Sequence, residues 1–120
     1  MQYLLLIYND EQAWLALPDD ERTAVRRRYF ALTDELRAAG SYVGGAPLQP
    51  TTEAKTVTRE SGETLVTDGP FAETKEQLGG YFLVDVASPA EAVEIAARIP
   101  ATEYGRVEVR PVIDVGGAPA

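Results

Sequence analysis

The sequence predicts an α+β domain in which two helices lie on one face of an antiparallel sheet. Three observations carry this. Residues 2–8 (QYLLLIY) form an almost unbroken apolar run of strand length. The stretch between Asp19 and Gly40 repeats apolar side chains at helical spacing. A second helix signal, at Ser88, Pro89 and Glu91, sits between two further strand-like runs. With 120 residues the chain fits one domain, expected over residues 1–115, with residues 116–120 as a loose tail. A hydrophobic fraction of 45% separates it from disordered sequences, which lack the apolar surface needed to offset chain entropy.

The first strand, Gln2 to Tyr8, is apolar at alternating and intervening positions alike, so both of its faces are expected to be buried. Asn9 to Pro18 reads as a connection, with Trp14 packed on the domain edge or lining a pocket rim. Asp19 is expected to cap the first helix and Gly40 to end it, and Val25, Tyr29, Leu32, Leu36 and Ala39 draw its apolar stripe. Tyr42 to Leu48 is a strand in which Gly44 and Gly45 mark either a bulge or a close approach by another group.

Lys55 to Glu60 and Glu63 to Thr67 alternate around Ser61 and Gly62, the pattern of a hairpin with one solvated face. Asp68, Gly69, Pro70 and Phe71 follow as a pre-shaped loop, because glycine permits unusual dihedrals and proline fixes φ. Glu73, Lys75 and Glu76 read as a solvated turn. Tyr81 to Val86 is a strand. The second helix then starts from a Ser88 cap, buries Ala92, Ile95, Ala96 and Ile99, and stops at Pro100. Arg106 to Val115 closes the domain, with Val107, Val109, Pro111 and Ile113 on one side. This order is a split βαβ arrangement of ferredoxin-like, βαββαβ type.

A sheet covered by helices on one face should alternate if the protein is a monomer. Here Tyr3, Leu5 and Ile7 on one side are matched by Leu4, Leu6 and Tyr8 on the other, and Phe82, Val84 and Val86 by Tyr81 and Leu83. Bare apolar surface of that extent calls for a cover, and a second copy related by a two-fold axis supplies one, giving a homodimer whose two sheets close into a barrel.

Nineteen acidic residues against eleven basic ones give a net charge of −8, which excludes direct nucleic-acid binding unless basic residues cluster. The one basic run, Arg26 to Arg28, reads as a solvated helix face. Cysteine and histidine are both absent, which removes thiol chemistry, Ser-His-Asp hydrolysis, histidine-ligated haem and ordinary zinc catalysis. No helix follows the Gly44 and Gly45 pair, so it is not a nucleotide-phosphate loop. No metal and no cofactor are expected. A start without a basic leader, no apolar stretch approaching about 20 residues, and no cysteine together point to a cytoplasmic protein that does not engage membranes.

The opening YLLLIY, the helix end LRAAGSYVGGAPLQP, the block LVTDGPFAETKEQLGGYFLVD and the closing VEVRPV resemble the YCII-related family, in its DGPF-domain branch, from Gln2 to about Val115. The resemblance implies a dimeric α/β-barrel fold and leaves the activity undefined. Wider relatives are associated with a histidine and aspartate pair. The helix histidine falls on Tyr29 here, so only Asp68 carries over. The association of this branch with alternative sigma factors implies a regulatory link as a further reading.

The resulting candidates are Asp68 and Tyr29 as catalytic groups, and Trp14, Asp68, Gly69, Phe71 and Arg110 as ligand contacts. Asp68 is either a general base with a pKa raised by burial beside Phe71, suited to isomerase or lyase chemistry next to a carbonyl, or a residue spent on an Asx-turn. Tyr29 is either a donor to a developing enolate or a core aromatic. Arg110 is either an anion clamp or half of an ion pair with Glu108 or Asp114. A small organic ligand bound in a cleft near Asp68, Tyr29 and Trp14 is the leading expectation.

Overall fold

The computed structural model describes residues 1–116. It contains β1 (Gln2–Asn9), α1 (Glu11–Ala16), α2 (Asp19–Ala38), β2 (Tyr42–Pro47), β3 (Lys55–Glu60), β4 (Glu63–Asp68), β5 (Gln77–Asp85), α3 (Pro89–Ala97) and β6 (Arg106–Pro111), with short 3-10 turns at Thr51–Glu53 and Pro100–Glu103. The main sheet runs β2-β5-β1-β6 with every neighbour antiparallel, and β3 with β4 forms a separate hairpin. β1 and β2 are therefore parallel across β5, as are β5 and β6 across β1. Each such pair is joined through a helix, as parallel strands require. This is the split βαβ, ferredoxin-like order.

The core lies between the sheet and the two longer helices. Tyr3, Leu5 and Ile7 of β1 and Phe82 and Val84 of β5 point toward Leu32 and Leu36 of α2 and Ala92, Ile95 and Ala96 of α3, with Ile99 sealing the end. Each large side chain buried there contributes about 1.5–3 kcal/mol. The second helix starts as expected: the Ser88 hydroxyl accepts from the Glu91 N–H (3.3 Å), and the Glu91 carboxylate reaches back to the Ala87 N–H (3.1 Å).

Several details depart from expectation. Pro18, not Asp19, is the cap of α2; its carbonyl takes the Glu21 and Arg22 N–H groups. Asp19 becomes the first helical residue, where its charge still complements the helix dipole and pairs with Arg22. Val25 is only half-buried and Ala39 is exposed, so the stripe is narrower than its spacing implied. The Asn9 to Pro18 connection contains a helix, α1, capped by the Asp10 carboxylate on the Gln12 and Ala13 N–H groups. At six residues it is too short for periodicity to reveal. β6 ends at Pro111, and Ile113 is 80% exposed instead of lining the sheet. The expected tail lies, beyond Gly116, outside the described residues.

Two glycines are demanded by close approach. A side chain at Gly105 would place its Cβ 2.1 Å from the Tyr8 carbonyl oxygen, where the chain enters β6 beside β1. A Cβ at Gly45 would lie 2.8 Å from the Tyr81 carbonyl oxygen and 3.2 Å from the Phe82 ring. The β2 register shift between Tyr42 and Gly44 is the bulge that the glycine pair signalled.

The hairpin turns through Ser61 (φ 49°) and Gly62 (φ 82°), both in the left-handed region that a type I′ turn requires. Unlike the one-sided pattern expected, β4 is exposed along its whole length and Val57, Leu65 and Val66 face water. The projecting arm spreads the chain over 48 × 46 × 18 Å and raises the radius of gyration to 16.2 Å. A compact chain of this length would measure about 14 Å. On the sheet face away from the helices, Leu4, Leu6 and Tyr8 stand beside Tyr81 and Leu83, half-buried and without a covering helix among the described residues. No helix is long and apolar enough to cross a membrane.

Candidate functional site

A cleft of about 740 Å³ opens between α2 and the β2 side of the sheet. Its floor is Phe82, 6% exposed and held by two aromatic neighbours. The Tyr29 ring lies nearly parallel at 6.4 Å (14°), and the Tyr42 ring meets it edge-on at 6.3 Å (77°). Gly45 is the register partner of Phe82 on β2, and its missing side chain keeps the floor open. One wall is the α2 row Arg26, Phe30, Thr33 and Arg37, at steps of four, three and four, one position past the buried stripe. Trp14 and Leu15 of α1 also line the cleft, with Trp14 beside Arg26.

The guanidinium of Arg26 lies 5.7 Å from the centre of the Trp14 ring, and that of Arg37 lies 4.8 Å from the Tyr42 ring. Glu11 also faces the cleft. Its carboxylate accepts from the Thr51 N–H (2.7 Å) and hydroxyl (2.6 Å), and its own N–H donates to the Gln77 side-chain carbonyl (3.0 Å). Thr51 and Gln77 in turn border a smaller hollow of about 280 Å³ completed by Pro70, Ala72, Glu73 and Thr74. The loop after β4 is thus tied to the cleft rim through Glu11.

Burial pushes the Tyr29 phenol far above its ordinary value of 10.0, and the neighbouring Tyr104 adds to the rise. Tyr104 is raised in the same direction, again chiefly by burial. Beside them Arg28 and Glu103 form an ion pair in which the hydrogen bond from Arg28 lowers the Glu103 carboxyl. Tyr29 is therefore a donor, not a base, throughout the physiological range. Its neutral form is favoured by folding, so its contribution to stability is complete below about pH 10 and falls as pH rises toward the higher folded value. Tyr29→Phe is expected to flatten the alkaline loss of stability, measured by denaturant unfolding at about pH 9 and about pH 11.

The structure brings Trp14 and Tyr29 together and places the other candidates elsewhere. Asp68 ends β4 directly opposite Lys55, and their side chains pair at 2.6 Å. Its carboxylate is 87% exposed and Phe71 is 88% exposed, so the burial that would have made Asp68 a base is missing. The Asp68 carboxylate bonds Lys55, and the turn is held instead by Gly69 (φ 99°). The Gly69 N–H donates to the Ala54 carbonyl, and its own carbonyl accepts from the Thr56 hydroxyl, both at 2.8 Å. Arg110 projects from the open sheet face, 3.6 Å from Glu108, away from the cleft. The sequence alone does not mark Arg26, Phe30, Thr33 and Arg37 as lining a cleft. Their helical spacing was the available signal, but charged members made the row look like a solvated face.

The family model for the YCII-related domain matches residues 1–116. The chain belongs to the YCII-related family. The uncharacterized protein R00369 of Rhizobium meliloti (strain 1021) is 44% identical over 116 residues, covering 93% of this chain and 92% of that protein. The match spans every element that forms the cleft, so the YCII-related domain and the fold described above coincide.

Proposed function

We propose that this YCII-related protein is a homodimer that binds a small organic molecule in the cleft between α2 and the sheet. The carrying observation is the cleft itself. Its 740 Å³ falls within the roughly 300–1,000 Å³ typical of small-molecule sites, and aromatic rings line it around a few polar groups. The dimer reading rests on the uncovered apolar sheet face, which a second copy would bury. A phenol that stays protonated and an acid already bonded to Thr51 suit holding a ligand better than abstracting its proton.

Trp14 is the sole tryptophan in the chain and sits on the cleft rim, so its emission reports occupancy. Aromatic small molecules are expected to change Trp14 fluorescence saturably and to raise the melting temperature of the parent protein. Thr33→Phe, which fills the cleft from a half-buried helix position, is expected to remove both responses. Equal binding by parent and variant would overturn the site.

A further inference from the structure

Among the described residues, this acidic chain turns two unpaired arginines toward the cleft. Among the described residues, Arg22, Arg28, Arg98, Arg106 and Arg110 each lie against a carboxylate: Asp19, Glu103, Glu35, Glu76 and Glu108 in turn. Arg26, Arg27, Arg37 and Arg59 have no carboxylate partner among the described residues, and of these Arg26 and Arg37 line the cleft. Arg26 and Arg37 form no ion pair and rest instead over the rings of Trp14 and Tyr42. Stacking occupies the flat face of a guanidinium and leaves its N–H fork free in the plane, which suits bidentate recognition of a carboxylate. The single acid lining the cleft, Glu11, is engaged by Thr51, so no cleft carboxylate competes for them.

The two arginines are eleven positions apart along α2, which places them on one face about 16 Å apart at the backbone. Between them on α2 lies Phe30, 69% exposed, which lines the same cleft as Phe82. An exposed phenylalanine between two unpaired guanidiniums has a matching ligand, a flat apolar body with an acidic group at its end.

Deepening the small-molecule reading above and resting on it, we propose that the cleft selects organic carboxylates with an aromatic body, held by Arg26 or Arg37 through the carboxylate and by Phe30, Tyr42 and Phe82 through the ring.

The probes are 2-naphthoate and its neutral isostere 2-naphthamide, titrated against the full chain with Trp14 emission as readout. Naphthoate is expected to bind at least roughly tenfold more tightly than the amide, the scale of one charge-assisted hydrogen bond. Arg26→Gln and Arg37→Gln are then made singly. The one that holds the carboxylate is expected to abolish the preference by weakening naphthoate roughly ten- to a hundredfold while leaving naphthamide unchanged. Both side chains are exposed, so melting temperatures should stay near that of the parent and confirm intact folding. Equal binding of the two probes would overturn the selection of anions while leaving the small-molecule cleft standing. Binding of neither would remove both readings. A naphthoate preference that survives both substitutions would overturn the role of the arginines.

Discussion

Leu83→Glu is expected to turn the proposed homodimer into a single subunit without disturbing the fold. Leu83 sits near the middle of the open sheet face, paired in register with Leu4 on one side and Gly44 on the other. In the isolated chain it is only half-buried, so glutamate there meets water and costs little. In a face-to-face dimer the same carboxylate would enter an apolar interface without a partner. An unpaired buried charge costs on the order of 3 kcal/mol or more. Two-fold symmetry doubles the effect to roughly 6 kcal/mol, about four orders of magnitude in the dissociation constant. Sedimentation velocity checks it: the parent should run as a dimer and Leu83→Glu as a monomer at the same concentration, with matching far-ultraviolet dichroism. A parent that sediments as one subunit at micromolar concentration would refute the dimer.

The fold was readable because its signals were strong and local. The unbroken apolar strand, the Ser88 cap with Pro89 and Glu91, and the Ser61 and Gly62 turn each restrict the backbone by themselves, whatever the rest of the chain does. Signals requiring long-range context were lost. α1 is a single capped turn and a half, and its purpose is to carry Trp14 over the cleft, which no periodicity announces. Ile113 continues the alternation of β6 in the sequence, yet β6 ends at Pro111 and the Val112 N–H donates to the Gln2 carbonyl.

The site divided along the same line. Tyr29 and Trp14 both line the cleft, and their size makes such a place legible because large aromatics are rarely left fully in water. Asp68 stands out in the sequence as a turn residue, and in the structure it ends β4 of the separate β3-β4 hairpin, exposed and paired across the strands with Lys55. Arg26 and Arg37 could not be recognised from composition alone. Whether an arginine on a helix faces water or a cavity depends on where the neighbouring strand ends, and here β2, with Gly45 in place of a larger residue, leaves the gap.

Phe82→Ala is expected to be the most damaging single substitution around the cleft. The ring is buried between Tyr29 and Tyr42, in register with Leu5 on β1, and belongs to both the core and the cleft floor. Truncating a buried phenylalanine costs about 3–5 kcal/mol, a large part of the 5–15 kcal/mol that holds a domain together. The void left here would open into the cleft, where water can enter, so a value near the lower end is expected. Leu36→Ala, at a position 1% exposed and sealed from the cleft, leaves a dry cavity and is expected to cost at least as much for a smaller side chain. Removing the Phe82 ring also lets water reach the Tyr29 phenol, whose titration should then move back toward pH 10 as the burial that raised it is relieved. Urea unfolding at neutral pH measures the first effect and phenolate absorbance against pH the second. A loss below about 1 kcal/mol together with an unmoved Tyr29 titration would mean that the three rings do not form one packed layer, since a ring that supports neither the core nor its neighbours cannot be the floor of the site.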